Sequence, residues 1–333
     1  MSTNGARALM EVEHLKLYFP VKKGVLVDRT VGVVHAVDDV SLTLREGETL
    51  GLVGESGCGK TTLARCMVRL LEPTEGRIRF RGDDITTASR RRLKPVWGDM
   101  QIVFQDPVSS LNPRKRVGQI VGSPLRLHGR DRGEAEKRVR ELLDLVGLNA
   151  EHINRFPHEF SGGQRQRIGL ARALALQPKL IVLDEPVSAL DASIQAQVIN
   201  LLDDLQYEMG LSYVFVAHDL SVVRHVSDRI AVMYLGKLME LSPAEELYGK
   251  PIHPYSSALL SAAPAADVEL ERHRERIILH GDVPSPVNPP SGCRFRTRCW
   301  KAQEICAQEE PALTDRGQGH PSACHFAEAA TIV

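Results

Sequence analysis

Between residues 8 and 53 apolar and polar positions partly alternate, most clearly in LMEVEHLKLYF (9–19) and VGVVHAVDDVSLTL (31–44). A period near two with β-branched residues predicts strands, and REGE (45–48) is a turn between them. TLGLV (49–53) is an unbroken apolar run, the pattern of a strand buried on both faces. After a glycine-rich stretch the pattern predicts a helix from about Lys60 to Leu71, stopping before EPTEG. In GEAEKRVRELLDLVGL (133–148) the period changes: Val139, Leu142, Leu143 and Val146 fall on one helical face, and Gly147 ends it. From 163 to about 233 strand-like and helical segments alternate. LIVLD (180–184) precedes a helix through Ile194, Val198, Leu201, Leu202 and Leu205, and YVFVAHD (213–219) follows. Such alternation predicts a parallel α/β sheet. A proline-rich linker, VPSPVNPP (283–290), is expected to separate this body from a cysteine-bearing tail.

Composition narrows the function only slightly. The chain of 333 residues has room for one large core or two domains. Lys plus Arg (42) balance Asp plus Glu (42), so no overall basic charge points to nucleic acid. No segment approaches the roughly 18 consecutive apolar residues of a membrane span. MSTNGARALM at the start lacks the apolar run of a signal peptide. The chain therefore reads as cytosolic, where clustered cysteines bind metal or do redox chemistry more often than they form disulfides.

GESGCGKTT (54–62) fits G-x-x-x-x-G-K-[ST], between an expected strand and an expected helix. Gly54, Gly57 and Gly59 let the backbone bend until N–H groups converge on phosphate oxygens, and Glu55, Ser56, Cys58 and Thr62 complete the loop. Lys60 is placed to reach the β- and γ-phosphates, and the Thr61 hydroxyl to ligate Mg²⁺. Cys58, at a helix start near Lys60, is either a reactive thiol shielded by nucleotide or a small residue filling a tight loop. LIVLDEP (180–186) ends a strand in two acids: Asp184 where a magnesium-holding carboxylate belongs, and Glu185 where an attacking water can be polarised. A solvated strand end is the plainer alternative. FSGGQRQRIGLARAL (160–174) places Ser161, Gly162, Gly163 and Gln164 at a second helix start, although one ATP needs only one such loop.

This second loop resembles the signature motif of ABC ATPases, and other elements of that family follow in order. Gln105 in IVFQDP matches the glutamine that senses magnesium, Asp191 in SALD the dimer-contact loop, and His218 in VFVAHD the switch histidine that contacts the γ-phosphate. The resemblance implies an α/β ABC-type nucleotide-binding domain over residues 8–250. It would comprise a P-loop NTPase core, an antiparallel β subdomain and a helical subdomain at about 106–160. Phe19, with Tyr18 as the alternative, would stack on adenine. Mg²⁺ would be held by Thr61, Gln105 and Asp184. Catalysis would rest on Glu185, His218 and Lys60.

FQDPVSSLNPR (104–114) and HPYSSALLSAAP (253–264) resemble the ATP-binding subunits of bacterial dipeptide and oligopeptide ABC importers. VGVVHAVDDVSL is most similar to the second of the two ATPases such systems often carry. Residues 251–333 would form the small Cys-rich C-terminal extension of that subfamily. Implied partners are a second ABC ATPase subunit, two transmembrane permeases and an extracytoplasmic binding protein, with the chain peripheral on the cytoplasmic face of the cell membrane. Nickel, glutathione or oligosaccharide import are the alternatives. Cys293, Cys299, Cys306 and Cys324 have gaps of five, six and seventeen residues, unlike the C-x₂₋₄-C knuckles of structural zinc sites. In the subfamily such a tail holds a 4Fe-4S cluster; zinc is the alternative. Arg294, Arg296 and Arg298 lie among the thiols, where a solvated basic run is the plain reading. The nucleotide site itself is expected to be built wholly from residues before the linker.

Overall fold

The computed structural model describes residues 7–23, 29–106, 110–263, 276–317 and 319–330. Part of the 104–114 stretch, and Pro264, therefore lie outside the described residues. Among the described residues ten strands occur in chain order: β1 Ala8–Lys23, β2 Arg29–Arg45, β3 Thr49–Val53, β4 Glu75–Phe80, β5 Asp83–Asp84, β6 Met100–Val103, β7 Leu180–Asp184, β8 Ser212–Val216, β9 Arg229–Tyr234 and β10 Lys237–Pro243. The chain divides into two compact units, Met1–Thr87 with Ala217–Val333, and Ala88–Val216.

In the first unit, β2, β1, β4 and β5 form an antiparallel sheet in that order. Its inward positions, among them Val12, Leu15, Leu17, Val37, Val40, Leu42 and Ile78, are buried as the alternation predicts. In the same unit β3 runs parallel to β9, which pairs antiparallel with β10. All five residues of β3 are buried, as its unbroken apolar run requires. The helix after it spans Lys60–Met67, shorter than predicted. Arg69 takes a left-handed conformation (φ 56°), the Leu70 N–H bonds back to the Arg65 carbonyl, and the Arg69 Nε donates to the Ile85 carbonyl (2.9 Å). The apolar pattern continues past Met67, but this buried arginine turns the chain.

In the second unit β6, β7 and β8 are parallel, with Val103 beside Leu183 and Asp184 beside Val216. Every residue of β7 and β8 is buried. Helix Ala192–Met209 lays Val198, Ile199, Leu202 and Leu205 inward and ends at Gly210 (φ 61°). Short helices at Val117–Val121 and Ser123–Leu127 precede helix Arg132–Leu145, whose buried face carries Val139, Leu142 and Leu143.

Among the described residues from 276 onward the chain is irregular apart from helix Ile305–Gln308, yet these segments are built into the first unit. The Ala323 N–H donates to Met239 and the Leu241 N–H to Pro321, flanking β10. The proline-rich stretch is not a free separator: the His35 N–H donates to the Pro286 carbonyl (3.0 Å). Among the described residues no helix is long and apolar enough to cross a membrane.

Candidate nucleotide site and the cysteine-lined cavity

The loop after β3 can be formed only by glycine at two points. A Cβ on Gly54 (φ 148°) would lie 2.1 Å from the Met233 carbonyl oxygen, and one on Gly59 (φ 108°) 2.1 Å from that of Ala36. Gly59 then caps helix Lys60–Met67. Lys60 is buried, its Nζ donating to the Gly54 (2.7 Å) and Glu55 (3.0 Å) carbonyls. The ammonium is thus already held at the loop, where an entering phosphate would compete with carbonyl oxygens for it. Cys58 is buried beside it. Burial raises its pKa, outweighing the opposing pull of Lys60, whose Nζ lies 3.8 Å from Sγ. The small-residue reading of Cys58 fits the structure. Its carbonyl accepts the Gly236 N–H (2.8 Å), which braces the loop against the β9–β10 turn.

In the second unit Asp184 is fully buried at the carboxyl end of β7. Glu185 follows in a left-handed conformation (φ 48°), and its N–H donates to the Val216 carbonyl. That turn lifts its side chain out of the strand's alternation. Gln105, just past β6, donates from Nε2 to the Glu185 carboxylate (2.7 Å). Both side chains thus meet beyond the carboxyl ends of adjacent parallel strands, where open α/β sheets bind ligands. Ser161 caps helix Gly162–Ala173: its Oγ accepts the Gln164 N–H (3.3 Å) while the Gln164 side chain accepts the Ser161 N–H (3.0 Å). This reciprocal capping box gives Gln164 a structural duty the motif reading omitted. A Cβ on Gly163 would lie 2.4 Å from Ile194. Asp191 stands exposed at the N-cap of Ala192–Met209.

His218 is exposed in the first unit, directly after Ala217, whose N–H donates to Leu52 of β3. Tyr18 bonds through its hydroxyl to Asp38 and packs on His35 (4.5 Å between ring centroids), whereas Phe19 is 38% exposed. Of the two aromatics, Phe19 has the accessible ring.

All four tail cysteines line one small cavity, with Phe295, Arg296, Lys301 and His253 also on its wall. Cys293, Cys306 and Cys324 are buried and all four are free thiols. Burial pushes the Cys293 thiol up to about 11. Among the described residues no three His, Cys, Asp or Glu groups are set to hold a metal ion.

The solvated-run reading of the arginines is corrected. Arg294 is buried and bonds to Asp38 and to the Leu235 carbonyl. Arg298 Nη1 grips both carboxylate oxygens of Glu55 in the glycine-rich loop (2.8 and 3.0 Å). The Glu55 N–H donates to the hydroxyl of Tyr255 (2.9 Å), a fully buried residue. The loop is therefore not built wholly from residues before the linker. Arg298 and Tyr255 escaped the sequence reading because a loop motif spans only its own few residues. The pairing of Glu55 with an arginine 243 positions later leaves no local pattern.

Comparison with known proteins identifies the family. A family model described as "ABC transporter" matches residues 37–188, and one described as "Oligopeptide/dipeptide transporter, C-terminal region" matches 239–306. The chain is 54% identical to oligopeptide transport ATP-binding protein AppF of Bacillus subtilis, covering 98% of this chain and 99% of the relative. It is 51% identical to oligopeptide transport ATP-binding protein OppF of Escherichia coli, over 93% and 94%. Among solved structures it is similar to the ATP-binding cassette MJ0796, a dimer in a post-hydrolysis state bound to ADP and Pi. The TM-score is 0.63 at 29% identity, covering 71% of this chain and 98% of that one.

Proposed function

The chain belongs to the family of oligopeptide ABC-transporter ATP-binding proteins, it hydrolyses ATP to power peptide import, and we propose how its residues divide that work. The carrying observation is the loop at 54–61, with a buried lysine already turned onto its carbonyls. ATP's phosphates lie on this loop and Lys60 bonds the β- and γ-phosphates. Thr61, Gln105 and Asp184 offer a hydroxyl, an amide oxygen and a carboxylate, the hard oxygen donors that suit Mg²⁺. Bound there, Mg²⁺ offsets charge on the phosphate oxygens.

Glu185 orients a water for in-line attack. The water's oxygen bonds the γ-phosphorus as the bond to the ADP oxygen breaks, and the water's proton passes to Glu185. The Gln105 amide on Glu185 aims that carboxylate. His218 contacts the γ-phosphate, and Phe19 stacks on adenine. A second cassette presents its own Ser161–Gln164 helix start across the nucleotide, with Asp191 at the contact. Closure of the cassettes, peripheral on the cytoplasmic face of the membrane, drives two transmembrane permeases, and a binding protein delivers peptide. The relatives named above are oligopeptide transport proteins, which favours peptide over nickel, glutathione or oligosaccharide.

Cys293, Cys299, Cys306 and Cys324 hold a 4Fe-4S cluster in this proposal. Four thiols on one cavity wall supply the ligand set, and Arg296 and Lys301 on that wall offset the negative charge. The gaps of five, six and seventeen residues between these cysteines differ from the short knuckles of structural zinc sites. Anaerobically purified protein is expected to carry about four irons and absorb near 400 nm. Colourless protein with one zinc per chain would refute this.

Transport is tested in vesicles holding the permease pair and partner ATPase. Peptide-loaded binding protein should stimulate ATP hydrolysis and peptide uptake, and Lys60→Ala should abolish both. Stimulation by nickel or glutathione in place of peptide would overturn the peptide assignment.

A further inference from the structure

The phosphate loop has an outer brace that the hydrolysis scheme does not use. Its second residue, Glu55, is held at both ends: its N–H by the Tyr255 hydroxyl, its carboxylate by Arg298. Neither partner comes from the loop's neighbourhood in sequence. Tyr255 lies on helix Pro254–Ala262, and Arg298 lies between the cavity residues Phe295 and Cys299.

The brace is rigid for a stated reason. Arg298 has a side chain only 10% exposed and Glu55 24%, so their attraction is weakly screened. The Arg298 guanidinium stands over the Tyr234 ring (5.9 Å), and its buried Nε has no other partner. Glu55 and that ring therefore compensate the buried charge, and removing Glu55 would strand it. Tyr234, Tyr255 and Phe295 pack mutually at 4.8–5.4 Å between ring centroids, and all three are fully buried. Tail, aromatic cluster and loop form one continuous set of contacts.

We propose that Arg298 and Tyr255 are positioning residues of the nucleotide site, acting through Glu55. Through them ATP binding and the order of the cysteine-bearing segment are coupled. Glu55 spends its N–H and carboxylate on this brace and serves as the loop's anchor, leaving phosphate contacts to its neighbours. Coupling is reciprocal: whatever factor the braced tail contributes to ATP affinity, bound ATP returns to the order of the tail. The inference rests on residues 54–61 being the phosphate loop.

Equilibrium ATP binding to Glu55→Gln, Arg298→Met and the double variant, beside thermal unfolding, tests it. Each single change should weaken ATP binding about 5- to 50-fold. The double variant should be no weaker than the worse single one, since all three remove one interaction. ATP affinity unchanged in folded Arg298→Met, with only the unfolding temperature lowered, would show a merely structural contact and overturn the proposal. So would additive effects. Tyr255→Phe, which removes only the acceptor of the Glu55 N–H, should also weaken ATP binding.

Should the arginine variant not fold, hydrogen exchange on the wild-type chain decides. MgATP should slow amide exchange in residues 293–300, and indifference there would refute the coupling. If Lys60→Ala binds ATP like the wild type, the loop assignment fails instead, and the two failures are distinguishable.

Discussion

A carboxylate at 185 that accepts a hydrogen bond from Gln105 is aimed before any substrate arrives. Glu185→Gln keeps the shape and removes the charge, so ATP should still bind while turnover falls roughly 10²–10⁴-fold, read as phosphate release with the transport partners present. Cys58 leads to the opposite expectation from the one its position in the motif invites. Buried, with its pKa raised, it should alkylate in the folded protein at least about 10-fold more slowly than in the unfolded chain, as should Cys66, whose pKa burial raises to about 12. Peptide mass spectrometry after timed iodoacetamide exposure checks both. Residue identities in GESGCGKTT and LDEP were legible in the sequence because backbone chemistry demands those types at those spacings. Burial was not: a helix start and a nearby lysine favour thiolate, and only the fold reveals that desolvation outweighs them.

Elements carry three further predictions. Ser161→Ala opens the capping box on helix Gly162–Ala173 and should cost about 0.5–2 kcal/mol of stability, measured by denaturant titration. Gly163→Ala should destabilise the protein even though alanine is the better helix former, because its Cβ would run into Ile194. The pH dependence falls on β10. Glu240, fully buried, accepts the Ile252 and His253 N–H groups (both 2.9 Å) and faces His320 Nε2 (2.6 Å), with Glu246 on the other ring nitrogen. Burial lowers the His320 pKa, but the bonds and charges of Glu240 and Glu246 outweigh it, and the net shift is upward from 6.5. Its contribution is complete below pH 6.5 and lost as pH rises through the raised value. His253 is the reverse case. Burial lowers it to about 4 against the pull of Glu240, so its share of stability is lost as pH falls from 6.5 toward 4. His320→Gln should therefore lower the unfolding temperature more at pH 6 than at pH 9. Strands β3, β7 and β8 were readable as short apolar runs and the 133–148 helix from its period; the early end of the Lys60 helix was not, since it depends on where Arg69 finds a carbonyl.

For the whole molecule, the discontinuity of the first unit matters most. Its two segments, ending at Thr87 and resuming at Ala217, enclose the entire second unit in sequence. No periodicity could reveal that, because it is a property of closure between distant segments. A chain ending at residue 282 would lose the Arg294–Asp38 and Arg298–Glu55 pairs and the Phe295 packing together. It should unfold at a markedly lower temperature in a thermal melt, even though every residue of the glycine-rich motif is retained.

The same Arg298–Glu55 pair sets a timetable for synthesis. The ribosome makes the two partners 243 residues apart, so at roughly 5–20 residues per second the loop waits about 12 to 50 s for its anchor. Over that interval the Ala88–Val216 unit can emerge and fold, while the first unit has only its leading segment. The nascent chain thus lacks this brace until Arg298 has been made, long after the residues of the loop itself have emerged.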